Sequence, residues 1–289
     1  MIPWRVRAAL AAAVTLGEQL VHAPREAWPL LTARPAADPP PLELSRRGEP
    51  GARIAAVLHC HFPDVLPGLL GALEAIPEPF DLLVTTTAPL VLPDVLPSFA
   101  ASAVVWQVDN QGRDILPLLR LVEAGHLEGY ELACKVHTKK SSWRETGDRF
   151  SGDGAQWRDA LVGGVLGSAA QVRRIIAAFD GDPALMMVTA PGQVLGPQYW
   201  GANGPLVRAL ARRAGITARP ADLRFAAGSM YWVRAEVLRR LGALGLRSGH
   251  FDRERGQDDG TTAHAVERFL GYLVASTGRL VTSDEIAPG

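Results

Sequence analysis

The three lysines of this chain all lie between residues 135 and 140, whereas its other basic residues, apart from histidine, are arginines. Lys139 and Lys140 follow an apolar stretch with the character of a β-strand, and His137 precedes them. An ammonium group is a compact positive charge that suits phosphate oxygens, so this cluster predicts a binding site for a diphosphate. For the cluster as a whole, the alternative is a solvated basic turn. For Lys135, the alternative is a snorkelling structural lysine, whose aliphatic stem packs on apolar surface.

The turn 110–114, which reads Asn-Gln-Gly-Arg-Asp, is a second candidate anion site. It precedes a helical pattern, and the first amides of a helix can donate hydrogen bonds to an anion. Arg113 can pair with two phosphate oxygens, while Asn110 and Asp114 can bind the sugar or the nucleotide. A purely structural role is the alternative for Asp114, because aspartate is a common helix cap.

Two adjacent carboxylates, Asp258 and Asp259, precede a helical pattern over residues 261–270. Such a pair can supply one general base and one neighbour whose negative charge raises the pKa of that base. His264 lies on the same predicted helix and is a further catalytic candidate. The structural alternatives are that Asp259 caps the helix and that His264 only fills space.

Two stretches combine aromatic rings with glycine and polar groups. The first contains Tyr199, Trp200 and Asn203, and the second, residues 225–232, contains Ser229 among Phe, Met, Tyr and Trp. Sugar rings stack on aromatic faces and form hydrogen bonds at the rim, so these residues are predicted to bind a sugar or an acceptor. For the second stretch, a buried core strand is the stronger alternative.

Polar side chains also follow four successive strand-like stretches. His59 and His61 end the first, Thr86 with its two threonine neighbours the second, Asp109 and Asn110 the third, and residues 137–140 the fourth. In open α/β sheets, ligands bind beyond the carboxyl ends of the strands. These strand ends are therefore expected to meet in one polar ligand site.

These stretches belong to an alternation of short apolar runs and helical patterns. Strands are predicted over 53–60, 80–86, 103–108, 131–137, 185–189 and 225–233, and helices over 64–75, 115–124, 156–179, 205–214, 235–241 and 261–270. This alternation predicts an α/β fold with a mostly parallel twisted sheet and helices on both faces.

Three parts are expected along the chain: an N-terminal helical extension over 1–34, a proline-rich linker over 35–51 and one domain over 52–289. Eight of the 22 prolines fall in the first 50 residues, which predicts the stiff linker. A net charge of zero argues against a protein built to bind nucleic acid. Cys60 and Cys134 lie in apolar runs, which predicts reduced, buried thiols in a cytoplasmic protein.

The predicted extension has an amphipathic composition. It carries Trp4, Arg5, Arg7 and Trp28 among apolar residues, and no stretch of the chain is apolar over the 18 or so residues of a membrane span. Residues 1–33 are therefore a candidate for peripheral contact with the inner membrane face. Packing on the domain or on a neighbouring subunit is the alternative.

Several of these motifs, in this order, resemble the rhamnan synthesis protein F family. The resemblance is carried by residues 59–64, 110–115, 134–141, 157–159, 199–203, 227–230 and 259–261, with His264, Glu267 and Arg268, and it extends over about residues 53–273. Leu116 and Ala226 stand where that family usually has glycine and proline. At position 116, the leucine side chain leaves less space than a glycine would in the turn that contains Arg113.

The resemblance implies a GT-A-like glycosyltransferase, a rhamnosyltransferase of bacterial cell-surface polysaccharide (O-antigen or rhamnan) synthesis that uses dTDP-L-rhamnose. In the GT-A fold the strand equivalent to 131–137 usually ends in Asp-x-Asp, which holds a metal ion, but here it ends in His137-Thr138-Lys139. Fixed cationic side chains can neutralise a departing diphosphate, as a metal ion does. We therefore expect metal-independent transfer that requires no cofactor.

The expected reaction is an inverting single displacement in which Asp259 deprotonates the acceptor hydroxyl that attacks C1 of the sugar. The expected donor site consists of His59, His61, Thr86, Asn110, Arg113, Asp114, His137, Lys139 and Lys140. The expected sugar and acceptor site consists of Tyr199, Trp200, Asn203 and Ser229. The expected partners are a nucleotide-diphospho-sugar and a glycan or lipid-linked oligosaccharide acceptor.

Three alternatives remain open at the level of sequence. A transferase with another nucleotide-sugar donor would share the fold. A non-catalytic glycan-binding subunit of a polysaccharide assembly complex would keep the aromatic residues but would not need the lysines or the acidic pair. A phosphotransferase or nucleotidyltransferase could use the basic cluster, although the sequence contains no P-loop.

Overall fold

The computed structural model of the protein describes residues 35–140, 154–257 and 259–287. The predicted N-terminal extension and the candidate base Asp258 lie outside the described residues. The described strands are β1 (Leu42–Arg47), β2 (Ile54–Cys60), β3 (Phe80–Thr86), β4 (Ala100–Gln107), β5 (Leu132–His137), β6 (Leu185–Thr189), β7 (Val194–Leu195), β8 (Phe225–Ala226), β9 (Tyr231–Arg234) and β10 (Arg279–Thr282). The described α-helices are α1 (Leu66–Leu73), α2 (Ile115–Glu123), α3 (Gly154–Leu166), α4 (Ala169–Gly181), α5 (Gly204–Arg213), α6 (Ala235–Gly242) and α7 (Thr262–Ala275).

The main sheet of the described residues has the strand order β1-β4-β3-β2-β5-β9-β6-β10. β2 pairs in parallel with both β3 and β5, β3 pairs in parallel with β4, and β6 pairs in parallel with β10. β9 is antiparallel to β5 and β6, and β1 is antiparallel to β4. The mostly parallel α/β sheet that the sequence predicts is therefore confirmed.

Both faces of the sheet are covered by helices, which explains the unbroken apolar runs in the sequence. Ala55 and Val57 of β2 face the core that α2, α5, α6 and α7 share, whereas Ile54 and Leu58 face the core that α1, α3 and α4 share. Every residue of β2 is buried, because a parallel strand in this position has no solvent side. Cys60 also faces the second core as a free, buried thiol, as predicted.

Part of the predicted linker is an edge strand of the domain. β1 pairs with β4 from Leu42 opposite Gln107 to Arg47 opposite Ala103. Just before β1, the Asp38 carboxylate accepts hydrogen bonds from the Ser248 amide at 2.9 Å and from the Arg120 guanidinium at 3.1 Å. The prediction of a stiff, proline-rich linker over 35–51 is therefore corrected for β1, because the prolines flank this strand and do not interrupt it.

Two further predicted elements are each divided by a local turn. The predicted strand 225–233 is β8 and β9, separated by a turn in which Gly228 has φ 82° and Ser229 has φ 56°. The predicted helix 156–179 is α3 and α4, because Ser168 starts a new helix by accepting a hydrogen bond from the Gln171 amide. Taken alone, none of the described helices is long and apolar enough to cross a membrane, although α3 and α4, which meet at 59°, reach that length and composition as a pair.

Candidate functional site

A cleft of about 620 Å³ opens at the carboxyl edge of the parallel strands. Its lining contains most of the predicted site residues: His59, His61, Asn110, Arg113, Asp114, His137, Lys139, Lys140, Tyr199, Ser229 and His264. Thr86, Trp200, Asn203 and Asp259 are absent from the lining formed by the described residues. A second cavity, of about 400 Å³, lies near the amino ends of β2 and β5 and contains none of the predicted site residues.

The floor of the cleft is a buried ion pair between the Lys135 ammonium and the Asp114 carboxylate. Asp114 directly precedes α2, but its side chain does not cap that helix. The same ammonium donates to the backbone oxygen of Ser229 at 2.8 Å and to its hydroxyl at 3.1 Å. Lys135 is 1% exposed, so its ammonium does not reach solvent as a snorkelling lysine would, and its contacts join β5, α2 and the β8–β9 turn.

Burial and charge set the protonation states of Asp114 and His137. Burial by itself would raise the pKa of Asp114, but the nearby cationic groups, with a hydrogen bond from Lys135, hold that pKa well below its usual range. For His137, whose Nδ1 lies 3.7 Å from Asp114, burial lowers the pKa to about 3 despite the Asp114 charge, and Lys135 and Lys139 add to the shift. With its pKa this low, His137 adds no positive charge to the strand end at neutral pH, where Lys139 and Lys140 supply it.

The two strand-end histidines hydrogen-bond to threonines of the next strand. His59 Nδ1 lies 3.0 Å from Thr85 Oγ1, and His61 Nδ1 lies 3.1 Å from Thr87 Oγ1. These contacts follow from the register, which places His59 opposite Thr85 in neighbouring parallel strands. Because side chains alternate along a strand, Thr86 points elsewhere, and its hydroxyl donates to the Ala88 carbonyl at 2.8 Å. Thr86 is therefore not placed in the donor site, and its neighbours Thr85 and Thr87 hydrogen-bond to the histidines that line the cleft.

Lys139 and Lys140 enter the cleft from the end of β5. The Lys139 ammonium lies 3.9 Å from the centre of the Trp157 ring, a cation–π contact. The more exposed Lys140 ammonium lies 2.6 Å from the Asp64 carboxylate. Between the strand end and these lysines, Thr138 Oγ1 accepts hydrogen bonds from two successive backbone amides after β2, both at 2.8 Å. This side chain fixes the end of β5 to the end of β2.

Arg113 faces the cleft from a strained backbone position. Its φ of 57° lies in the left-handed region that non-glycine residues rarely adopt. Its amide donates to the Glu254 carboxylate at 3.2 Å, and its guanidinium donates to the carbonyl of Gln257. The neighbouring Gln111 amide group donates to the carbonyl of Phe251 at 2.8 Å. The turn 110–114 is thus joined to the loop before α7, which forms the opposite side of the cleft.

Asp259 is held by three contacts within the protein. Its Oδ1 accepts from Asn203 Nδ2 at 2.7 Å and lies 3.1 Å from the Arg268 guanidinium, while its Oδ2 accepts from the Ala202 amide at 3.2 Å. Asp259 therefore fixes the loop 200–203 to α7. Helix α7 is capped by Thr261 and not by Asp259.

The predicted acceptor residues divide into two groups. Tyr199 and Ser229 line the cleft. Asn203 is fully buried against Asp259, and the Trp200 ring packs edge-on against the Tyr272 ring, with centroids 6.3 Å apart. Trp200 and Asn203 are therefore absent from the lining that the described residues give the cleft, and they support it by packing against α7 and Asp259.

Helix α7 presents two titratable side chains to the cleft. His264 Nδ1 lies 2.8 Å from the Thr261 hydroxyl, and burial, with the nearby Arg113 charge, lowers the pKa of His264 to about 4. Glu267, which was not among the predicted site residues, also lines the cleft, and burial raises its pKa. The spacing of three residues between His264 and Glu267 places both on one helix face and could have identified Glu267 from sequence.

Comparisons with known proteins show the family of this chain. The sequence model of the family described as Rhamnan synthesis protein F matches residues 42–278. Two proteins of Xanthomonas campestris pv. campestris, from strains B100 and ATCC 33913 and each named Uncharacterized protein WxcX, are 36% identical over 233 residues, which is 79% of this chain and 32% of the relative. This chain thus spans about a third of the length of those relatives.

One solved structure also shows similarity to this chain, with a lower sequence identity. The mannosyltransferase PcManGT from Pyrobaculum calidifontis, in complex with GDP-Man and Mn²⁺, is 15% identical in sequence and aligns with a TM-score of 0.37. The alignment covers 95% of this chain and 65% of that chain.

Proposed function

Since this chain belongs to the rhamnan synthesis protein F family, we propose that it is a glycosyltransferase of polysaccharide synthesis that takes rhamnose from dTDP-L-rhamnose. The observation that carries the proposal is the convergence of Arg113, Lys139 and Lys140 on one cleft at the carboxyl edge of the sheet. A nucleoside diphosphate leaves with developing negative charge, which preorganised cationic groups stabilise by several kcal/mol. The cleft is large enough for a nucleotide-sugar.

The proposed reaction is an inverting single displacement. An acceptor hydroxyl attacks C1 of the sugar on the side opposite the diphosphate, the bond from C1 to the diphosphate oxygen breaks, and the nucleoside diphosphate leaves with the electron pair. Arg113, Lys139 and Lys140 bind the diphosphate as its charge develops. His59, His61 and the side-chain amide of Asn110 contribute hydrogen bonds to the nucleotide, while Tyr199 and Ser229 bind on the sugar and acceptor side.

We propose that the charge of the leaving group is neutralised by side chains and not by a metal ion. Among the described residues, no group of three or more His, Cys, Asp or Glu side chains is placed to hold a metal ion. Asp114, whose carboxylate lies 3.7 Å from His137 Nδ1 at the end of β5, is already paired with Lys135. The residues at this strand end therefore do not fit a divalent cation, because lysine ammonium groups occupy the place of its carboxylate ligands.

The acceptor and the cellular location are proposed from the chemistry of the reaction. A glycan or a lipid-linked oligosaccharide supplies the attacking hydroxyl. The protein acts in the cytoplasm, where residues 1–33 contact the inner face of the membrane. Because this chain spans only 32% of the length of its relatives, these statements concern the activity of this chain alone.

The proposed function is tested by incubating the full chain with dTDP-L-rhamnose and a lipid-linked oligosaccharide mimic, with and without EDTA. We expect a rhamnosylated acceptor of inverted anomeric configuration in both conditions, detected by mass spectrometry and NMR. Product from a UDP- or GDP-sugar but not from dTDP-L-rhamnose would assign a different donor. Binding of the oligosaccharide without any affinity for a nucleotide-sugar would identify a glycan-binding subunit. Activity that disappears in EDTA and returns with manganese would contradict the metal-independent mechanism.

A further inference from the structure

Of the described residues, three carboxylates line the cleft: Asp114, Glu254 and Glu267. Asp114 is held in its ionised form by the Lys135 ammonium, so it is a weak base. Glu254 is exposed on the loop before α7 and accepts the Arg113 amide at 3.2 Å. Glu267 differs from Asp114 in its cationic partner, which is the Arg268 guanidinium at 3.5 Å, and from Glu254 in its burial, since its side chain lies in the wall of the cleft and is 19% exposed.

The contacts of Glu267 leave one of its oxygens available. Oε1 accepts a hydrogen bond from the Gly228 amide at 3.0 Å, which fixes the orientation of the carboxylate. Oε2 has only a long contact, 3.5 Å, with the guanidinium of Arg268. A carboxylate oxygen can accept two hydrogen bonds, so Oε2 can also accept a hydroxyl of a bound acceptor.

Charged groups from three elements surround Glu267. Burial raises its pKa, the charges of Arg268 on α7 and Lys139 at the end of β5 oppose that shift, and Asp114 before α2 adds to it. A carboxylate whose pKa lies closer to neutral is a stronger base for a sugar hydroxyl. Asp259, in contrast, is absent from the lining that the described residues give the cleft, and Asn203, Ala202 and Arg268 hold it in that position.

We infer that Glu267, and not Asp259, is the catalytic base of the proposed transfer. The acceptor hydroxyl donates its proton to Oε2 of Glu267 while its oxygen forms the bond to C1. The bond from C1 to the diphosphate breaks in the same step, and the protonated Glu267 later releases its proton to solvent. This inference rests on the proposed function, because it assigns the base of that reaction.

The test compares Glu267→Gln with Asp259→Asn in the same transfer assay. Glutamine keeps an oxygen to accept the Gly228 amide but cannot take a proton, so kcat is expected to fall by about 10²–10⁴-fold. The affinity for dTDP-L-rhamnose, measured by calorimetry, is expected to stay within threefold, because Glu267 does not bind the donor. Asp259→Asn is expected to lose less than tenfold in kcat. Glu128→Gln, an exposed glutamate on the loop before β5, is the matched control and is expected to behave as wild type.

The pH dependence of the wild-type enzyme is a second measurement that needs no variant. Since the base must be ionised and its folded-state pKa is raised, kcat is expected to fall as the pH drops through a value above the usual glutamate range. The acidic limb is expected to disappear from the residual activity of Glu267→Gln.

Two results would overturn this assignment while leaving the proposed function intact. The first is a Glu267→Gln enzyme that retains more than a fifth of wild-type turnover. The second is a loss of 10²-fold or more in Asp259→Asn, with Glu267→Gln less affected. A wild-type enzyme that neither binds dTDP-L-rhamnose nor transfers from it would refute the proposed function itself.

Discussion

Replacing Lys135 by methionine is expected to destabilise the fold in a way that depends on pH. Methionine has a similar length and suits a buried position, so the main loss is the ammonium group. Lys135 is 1% exposed and the side chain of Asp114 is 14% exposed, so the variant leaves the Asp114 carboxylate buried without its cation. Breaking one side of a buried ion pair costs about 3–5 kcal/mol.

This cost corresponds to a measurable fall in Tm. Each kcal/mol shifts Tm by about 2–4 °C in a chain of this size class, so Lys135→Met is expected to melt about 6–20 °C below wild type at pH 7.5. In the wild type the pKa of Asp114 is lowered, so the ion pair contributes its full stabilisation at neutral pH. That stabilisation is lost only in strong acid, where Asp114 becomes protonated. In the variant, burial without the cation raises the pKa of Asp114, so protonation restores stability as the pH falls.

The assay is differential scanning calorimetry of wild type, Lys135→Met and the double variant Lys135→Met, Asp114→Asn between about pH 5 and pH 8. The gap between wild type and the single variant is expected to narrow towards pH 5. The double variant is expected to recover part of the loss, because it no longer buries a charge. A gap below about 2 °C at pH 7.5, or a gap that does not change with pH, would refute this reasoning.

Two further predictions concern the turns that shape the cleft. Gly112→Ala is expected to cost more stability than Gly125→Ala. Both glycines have positive φ, 65° and 78° respectively. A Cβ at Gly112 would lie 2.5 Å from Leu116 Cβ and 2.8 Å from the Phe251 ring, whereas a Cβ at Gly125 would enter open space. The added contact raises the cost above the roughly 1–3 kcal/mol of backbone strain, and equal melting temperatures would contradict this. Thr138→Val is expected to cost about 1–3 kcal/mol in urea unfolding, because two amides lose their acceptor, and an unchanged midpoint would contradict this.

The strands of the sheet were predicted correctly where burial on both faces determines their hydrophobic pattern. The predicted strands 53–60, 80–86, 131–137 and 185–189 agree with the observed ones to within a residue, because strands covered on both faces read as continuous apolar runs. The prediction failed where a local turn or an edge position, and not burial, determines where a strand lies. β1 has only one neighbour in the sheet, and the left-handed φ angles of Gly228 and Ser229 divide a strand-like stretch without changing its hydrophobic pattern.

Part of the candidate site could be predicted from sequence because of the topology of the sheet. Parallel strands bring their carboxyl ends to one edge, so His59, Arg113 and Lys139 meet although they are distant in sequence. Which carboxylate is engaged depends on packing between elements. Asp259 is held by a hydrogen bond from the side-chain amide of Asn203, 56 residues away, and no local pattern indicates that contact.

The most direct test of the central claim is the affinity of dTDP for the metal-free protein, measured by calorimetry in EDTA. If Lys139 and Lys140 bind the diphosphate, each charge-assisted hydrogen bond contributes about 1.5–3 kcal/mol, so Lys139→Met, Lys140→Met is expected to raise Kd by roughly 100-fold or more. Arg173→Met, an exposed arginine on α4, is the control and is expected to leave Kd unchanged. Tight binding by wild type in EDTA that is lost in the double variant agrees with fixed cations as the diphosphate ligands. Binding that requires manganese, or a double variant with a Kd within threefold of wild type, would contradict it.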